Sequence, residues 1–424
     1  MKNLLIKNIN LISMSEDRNK IENNIDIEIK NGKIFKIGKD LNTDSFEVID
    51  GTGKVLLPGF INTHTHIPMV LFRNSIDGLK LEDWLTNFIW PIEDKLTDEE
   101  IYTASVYSAM EAIENGITTV HDLYFRYENI IPAVKEVGLD LVGSLCLMNH
   151  DGNGDKRIEN LLKLKNEYKD TKFSFGIHGL YTSDEEYIKK ATDLAKELNL
   201  PVHMHFCETT TERETIKKNF NVKHPSEVLT KYFKDLKCIL AHAVKLDEAD
   251  IKTISKMDMS VAHCPVSNLM LGCGIANISH MHDSGINVTI GTDGQGSGNN
   301  MRMLEVLRFT ALLQKGSKED PTLLNAYEVL KMATINGAKA LGLENEIGSI
   351  EEGKRANLII FDFKNTSNFP VRDYITNIIY NASSNDIEIV IIDGNIVMRD
   401  RKFKVDKDEY IKKVEMIVER IFQK

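Results

Sequence analysis

The stretch Val55-Leu56-Leu57-Pro58-Gly59-Phe60-Ile61-Asn62-Thr63-His64-Thr65-His66 decides the fold. An apolar run that closes on two histidines two positions apart reads as a buried strand ending in inward imidazoles, because side chains alternate faces along a strand. Two imidazoles converging at a strand end make half of a metal site, and neutral imidazole is the commonest protein metal ligand. Taken alone, the same pair would serve equally well as surface or hydrogen-bonded histidines. The pattern around it decides between the two.

Downstream, the chain alternates short apolar strands with amphipathic helices. Strands are predicted at 59–64, 117–122, 140–147, 173–178, 201–206, 237–242, 259–263 and 287–292, with helices such as 183–198 and 247–257 between them. Repeated βα units with short loops imply a parallel sheet. Eight of them in about 290 residues fit a (β/α)8 TIM barrel better than an open doubly wound sheet. Both ends of the chain read differently. Residues 24–38 alternate apolar and polar around Asn31-Gly32, a hairpin signal, and 387–398 do the same around Asp393-Gly394. The expected organisation is a barrel over 56–345 and one small β-sandwich built from 1–55 plus 346–424. Two unrelated β appendages are the alternative. The last stretch, 407–424, reads as an amphipathic helix with Ile411, Val414, Ile417, Val418 and Ile421 on one face, expected to pack back on the sandwich.

Composition narrows the function. The 424 residues carry a formal net charge of -11, which offers no basic patch to phosphates, so no nucleic-acid partner is expected. No apolar stretch is long enough to span a bilayer, and the N-terminal run does not read as a signal peptide. Five scattered cysteines form no framework, so a reduced, cytoplasmic protein is expected. A homo-oligomer is the base expectation for such an enzyme.

The predicted strand ends carry the chemistry. They present His64 and His66, Asp122, His178, His205, His242, His263 and Asp293. In a barrel of this kind the C-terminal strand ends meet at one mouth, where active sites sit. As mere core residues these groups would be expensive unless each were hydrogen-bonded. Three imidazoles and a carboxylate suit a borderline metal such as Zn2+ or Fe2+, with an open position for water. His203 lies on the same strand face as His205, one step deeper, and is an alternative ligand. Glu208, three residues past His205, is placed to lean over the open position and move protons; the bland alternative is a helix-start carboxylate.

Those residues carry a resemblance. The segments 58–66 and 202–208, Ala241-His242, His263-Cys264-Pro265-Val266-Ser267-Asn268 and Gly291-Thr292-Asp293-Gly294 together resemble the metal-dependent amidohydrolase superfamily, nearest to its deaminases of 5'-methylthioadenosine and S-adenosylhomocysteine. The likeness runs over nearly the whole chain, the split sandwich included. It implies that His64, His66, His205 and Asp293 hold one divalent metal, usually zinc, that His242 lies near the attacking water, and that Glu208 shuttles protons. The fourth barrel strand ends in Phe175-Gly176-Ile177-His178 with no lysine, which favours one metal over two. Glu82-Asp83-Trp84-Leu85 and Trp90-Pro91-Ile92-Glu93 resemble the loop of adenosine-type deaminases in which the tryptophan packs on the nucleoside and the glutamate accepts the ribose hydroxyls. A carboxylate accepts two hydroxyls well. By the same resemblance His178 contacts the base, Ser297 contributes nearby, and Arg157 meets the amino-acid carboxylate of S-adenosylhomocysteine. The implied substrate is a purine nucleoside deaminated at C6.

Departures from the pattern keep rivals open. Leu145 stands where some relatives have a second arginine, and His263-Cys264-Pro265 is equally similar to members acting on guanine-like or triazine rings. A hydrolase of a free aminopurine, pterin or triazine is therefore the first alternative, and an inactive barrel scaffold the second. Ordinary roles also exist for three residues: Trp84 as a helix anchor, Glu93 in an acidic helix start, Arg157 as a surface charge. The segment 68–91 is a candidate lid.

Overall fold

The computed structural model describes residues 3–42, 46–75 and 77–422. The chain begins with β1 (Leu4–Leu11), β2 (Glu22–Lys30), β3 (Lys33–Gly38), β4 (Glu47–Asp50) and β5 (Val55–Pro58). The barrel strands follow: β6 (Phe60–Thr65), β7 (Ile117–Tyr124), β8 (Asp140–Leu147), β9 (Lys172–Ile177), β10 (Val202–Phe206), β11 (Cys238–His242), β12 (Met259–His263) and β13 (Asn287–Ile290). β14 (Leu358–Phe361), β15 (Ile387–Ile392) and β16 (Asn395–Arg399) complete the set. The eight predicted barrel strands are all present, with ends within two residues of the expected ones.

β6 to β13 lie side by side in chain order, all parallel. Helices on the outside cover them, so the strands are buried on both faces and read as apolar runs. The two remaining groups of strands form one sheet, ordered β16-β15-β14-β5-β1-β2-β3 with β4 branching from β1. β5 pairs antiparallel with β14, Val55 opposite Phe361 and Pro58 opposite Leu358, so the two ends of the chain share a single sheet. The expected (β/α)8 barrel with a terminal β-sandwich is the fold of this chain.

The barrel seam is closed largely by side chains. Asn62 Nδ2 donates to Thr292 Oγ1 at 2.7 Å, and Thr292 N donates back to Asn62 Oδ1 at 3.0 Å. Thr63 Oγ1 meets Thr289 Oγ1 at 2.7 Å and donates to the Ile290 carbonyl at 2.9 Å. The Asp293 amide donates to the His64 carbonyl at 3.0 Å. The residues that end β6 and follow β13 are thereby held together across the seam.

The C-terminal helix corrects the expectation that it packs on the sandwich. Lys407–Phe422 lies on the barrel helix Asp98–Glu114. Arg420 pairs with both oxygens of Glu100 at 2.5 and 2.6 Å, and the Phe422 ring stacks on Phe88 at 5.8 Å. The buried face runs through Tyr410, Val414, Ile417 and Ile421 at helical spacing, which leaves Ile411 outside it and 40% exposed.

Gly59 marks the crossing from sandwich to barrel. Its amide donates to Asn357 and the next amide to Gly116, so the backbone passes close to β7. A Cβ at Gly59 would lie 2.1 Å from Thr118 Oγ1 and 2.7 Å from Thr118 Cβ. Gly59→Ala is expected to cost about 1–3 kcal/mol, the range for forcing atoms into a packed core. In urea unfolding, Thr118→Gly should restore part of that loss in the double variant.

Candidate active site

The site is assembled from strand ends. His64 lies at the end of β6 and His66 just past it, His205 lies near the end of β10, His242 ends β11, and Asp293 follows β13. Nitrogen and oxygen atoms of His64, His66 and Asp293 lie within 4.8 Å of one another, as do nitrogens of His64, His205 and His242. His66 Nε2 is 3.2 Å from Asp293 Oδ1 and His64 Nε2 is 3.5 Å from it. His205 Nε2 faces His66 Nε2 at 3.3 Å. His242 and Asp293 adopt left-handed backbone conformations, φ 71° and 62°, rare for residues with a Cβ and of order 1–3 kcal/mol each. Such strain is concentrated where the chain must aim a side chain.

The second nitrogen of each imidazole is tied down. His66 Nδ1 donates to the Leu123 carbonyl at 2.5 Å and His205 Nδ1 to the His178 carbonyl at 2.6 Å. His64 Nδ1 meets His203 Nε2 at 2.9 Å. His242 Nδ1 meets Asn268 Oδ1 at 2.8 Å. This leaves the Nε2 lone pairs of His64, His66 and His205 converging, and His64 Nε2 is buried with no hydrogen-bond partner among the described residues. Lone pairs aimed at each other beside a carboxylate repel unless a cation sits between them. The donor set therefore fits a divalent metal bound by nitrogen and oxygen. Burial works against the charge of Asp293, yet the neighbouring His64 and His66 imidazoles hold its carboxyl well below the ordinary range. Ser267 Oγ and Ser297 Oγ donate to Asp293 Oδ2 at 2.5 and 2.7 Å, and its other oxygen accepts the Gly294 amide at 2.7 Å.

One cavity above this cluster is lined by His66, Trp84, Trp90, Glu93, His178, His205, Glu208, His242, Asp293 and Ser297. Glu208 Oε1 lies 3.5 Å from His242 Nδ1 and 3.5 Å from Cys273 Sγ. Burial pushes the Glu208 carboxyl up, opposed by His242. Glu208 does not start a helix: Thr209 caps Thr210–Phe220, and Glu212 takes the acidic place in its first turn, accepting the amides of Cys207 and Glu208 at 2.8 and 2.7 Å. Trp84 is both a core residue and a cavity wall. Glu93 accepts a hydrogen bond from Tyr124 Oη inside the cavity. His178 Nδ1 meets Thr182 Oγ1 at 3.1 Å.

Three strand-end residues fall elsewhere. β7 runs on to Tyr124, so Asp122 sits below the mouth, accepting the Ile67 amide at 2.6 Å and Tyr127 Oη at 2.8 Å. It braces the turn after His66. His263 is buried with neither nitrogen hydrogen-bonded among the described residues. His203 lies beneath His64 and outside both atom clusters. Arg157 lines an adjoining cavity that shares Trp90, Glu93, Tyr124 and Phe125 with the first. Asp151 grips both its terminal nitrogens, at 2.7 and 2.6 Å, and the Met148 carbonyl takes a further bond at 2.8 Å. The sequence reading assigned no role to Tyr124, Ser267 or Asn268. The last two lie in the motif that follows His263, where their place on a helix turned toward the mouth is the missing information.

A (β/α)8 barrel whose mouth gathers imidazoles and a carboxylate is the architecture of barrel metallohydrolases. Residues 55–397 match the amidohydrolase family, and the chain belongs to that family. It is 38% identical to a 5-methylthioadenosine/S-adenosylhomocysteine deaminase of Acetivibrio thermocellus, over 99% of this chain and 100% of that one. It is also 38% identical to a 5'-deoxyadenosine deaminase of Methanocaldococcus jannaschii, over 93% and 96%. Among solved structures, an adenosine deaminase from Xanthomonas campestris with bound zinc superposes with a TM-score of 0.94 at 27% identity, covering 99% of this chain and 98% of that one.

Chelator-treated protein is expected to take up one equivalent of divalent metal and to melt at a higher temperature with it, since a ligand bound only by the folded state stabilises that state. Calorimetric titration and a thermal melt check both.

Proposed function

We infer that the chain is a hydrolytic deaminase of adenosine-type nucleosides, with 5'-methylthioadenosine and S-adenosylhomocysteine as its substrate class and zinc as its resident metal. The observation that carries this is near full-length similarity to deaminases of that class. A cavity in which Glu208, His242 and Asp293 face Trp84 and Glu93 supports it. We place the protein in the cytoplasm, consistent with five free, buried cysteines.

His64, His66, His205 and Asp293 would hold the metal, which when bound supplies a Lewis acid that lowers the pKa of water toward about 7. Glu208 takes a proton from the attacking water and gives it to the purine ring nitrogen beside C6. The carbon becomes more electrophilic, and the new C–O bond forms there. Glu208 then takes the remaining proton from the new hydroxyl and delivers it to the amino group, the C–N bond breaks as C6 becomes a carbonyl, and ammonia leaves. Its raised carboxyl suits a group that must be base first and acid afterwards. His242, fixed by Asn268, and Asp293, fixed by two serines, orient the water. Trp84 packs on the nucleoside, Glu93 accepts the ribose hydroxyls and His178 contacts the base. Ser297 acts beside them through Asp293. Arg157 reaches a 5'-linked amino-acid carboxylate only by sharing its guanidinium with Asp151, so uncharged 5' groups suit this site best.

The test is ammonia release from 5'-methylthioadenosine, S-adenosylhomocysteine, adenosine, adenine, guanine and an amino-triazine. Preference for the 5'-thio nucleosides is expected; activity on a free base alone would remove the ribose roles. Glu208→Gln is expected to lower kcat by at least about 10²-fold, the low end for general acid–base catalysis, with metal content unchanged. Near-normal turnover would exclude Glu208 as the shuttle. Burial pushes Glu93 up to about 7, against the hydrogen bond from Tyr124. Its ionised form is the hydroxyl acceptor, so KM for nucleosides should rise as pH falls through about 7. Glu93→Gln should raise KM and flatten that dependence.

A further inference from the structure

Beneath the cluster lies a buried polar chain that the catalytic steps do not use. His64 Nδ1 meets His203 Nε2 at 2.9 Å, and His203 Nδ1 meets Ser144 Oγ at 3.1 Å. Ser144 Oγ and Ser174 Oγ each lie 2.7 Å from His121 Nε2, and the two hydroxyls touch each other. The His121 and His203 rings stack at 3.9 Å. His64, His203, Ser144 and Ser174 are fully buried, and His121 is 1% exposed.

The direction of this chain follows from donor counting. His64 offers its lone pair at Nε2 only if Nδ1 carries the hydrogen. That hydrogen needs an acceptor, and His203 Nε2 is the partner the structure provides. A neutral imidazole accepting at Nε2 must carry its own hydrogen on Nδ1, which donates to Ser144 Oγ. The Ser144 hydroxyl is then free to donate onward to His121 Nε2. His66 and His205 are fixed differently, each by a backbone carbonyl that only accepts and that no substitution removes. Of the three imidazoles, His64 alone depends on a side chain for its tautomer.

We propose that His203 is a positioning residue: it holds His64 as the Nδ1–H tautomer and so sets the affinity of the site for its metal. Partners of this kind orient ligands, and their loss costs about 10–100-fold in metal affinity. The proposal also explains why a histidine, not an apolar residue, faces inward at this depth of β10. It rests on His64 being a ligand.

The experiment measures zinc affinity by competition with a chromophoric chelator in the parent, His203→Leu, His203→Gln and Ser144→Ala, beside the thermal melt of each metal-free protein. His203→Leu should bind zinc about 10–100-fold more weakly. His203→Gln, whose amide oxygen can accept from His64, should recover most of that affinity although its melting temperature matches that of His203→Leu. Ser144→Ala keeps His203 in place and removes its acceptor, and should lose affinity to a smaller extent; it carries the test if His203→Leu does not fold. Parent-like affinity in folded His203→Leu, or in Ser144→Ala if the former is unfolded, would overturn the proposal. So would equal weakness of the leucine and glutamine variants, which marks a packing role. A parent that binds no zinc would overturn the metal site and this inference together.

Discussion

Closure of the barrel between β6 and β13 is the constraint on which the rest depends. These two strands are the first and last of the sheet, separated by more than half the chain, and no regular ladder joins them. Side-chain hydrogen bonds from Asn62 and Thr63 and the amide of Asp293 hold them instead. The same contact places Asp293 against His64 and His66. A site drawn from both ends of a sheet exists only when that sheet closes, so the fold and the chemistry share one set of bonds. Buried hydrogen bonds of this kind contribute modestly each but leave costly orphans if broken.

Around this seam the polar groups are arranged in depth. At the mouth, Glu208, Glu93 and His178 face the cavity. One level down, the imidazoles and Asp293 converge. Below them His203, Ser144, His121 and Ser174 fill what would otherwise be an apolar barrel core. The lowest layer holds the one above it through the His203–His64 contact, and hydrogen bonds within that layer tie its own buried polar atoms together. The left-handed turns at His242 and Asp293 place strain where the chain leaves the strands.

Much of this was legible in the residues. The alternation in 59–66 announced an inward histidine pair, and the eight apolar runs announced a parallel barrel. His66, Trp84, Glu93, His178, His205, Glu208, His242, Asp293 and Ser297 line one cavity, whereas His263 and Arg157 lie outside it. The sequence misled where depth or docking mattered. A strand ending at residue 122 puts Asp122 at the mouth, but β7 runs on to Tyr124 and the carboxylate braces a turn instead. The stripe of the last helix suits the sandwich as a partner, yet the helix packs on the barrel helix Asp98–Glu114. An amphipathic stripe states that a face is buried and is silent about what covers it.

By itself the sequence determined the alternation of strand and helix, the identity of the groups at each strand end, and a charge balance unsuited to nucleic acid. These follow from periodicities of two and 3.6 residues, which are properties of neighbours along the chain. The tertiary structure alone decided that His203 supports His64 and stays out of the cluster, and that Ser267 and Asn268 orient Asp293 and His242. Each of those choices depends on how deep a residue sits in the closed barrel and which distant strand or loop meets it. Such contacts join residues far apart in the chain, and no local pattern encodes them.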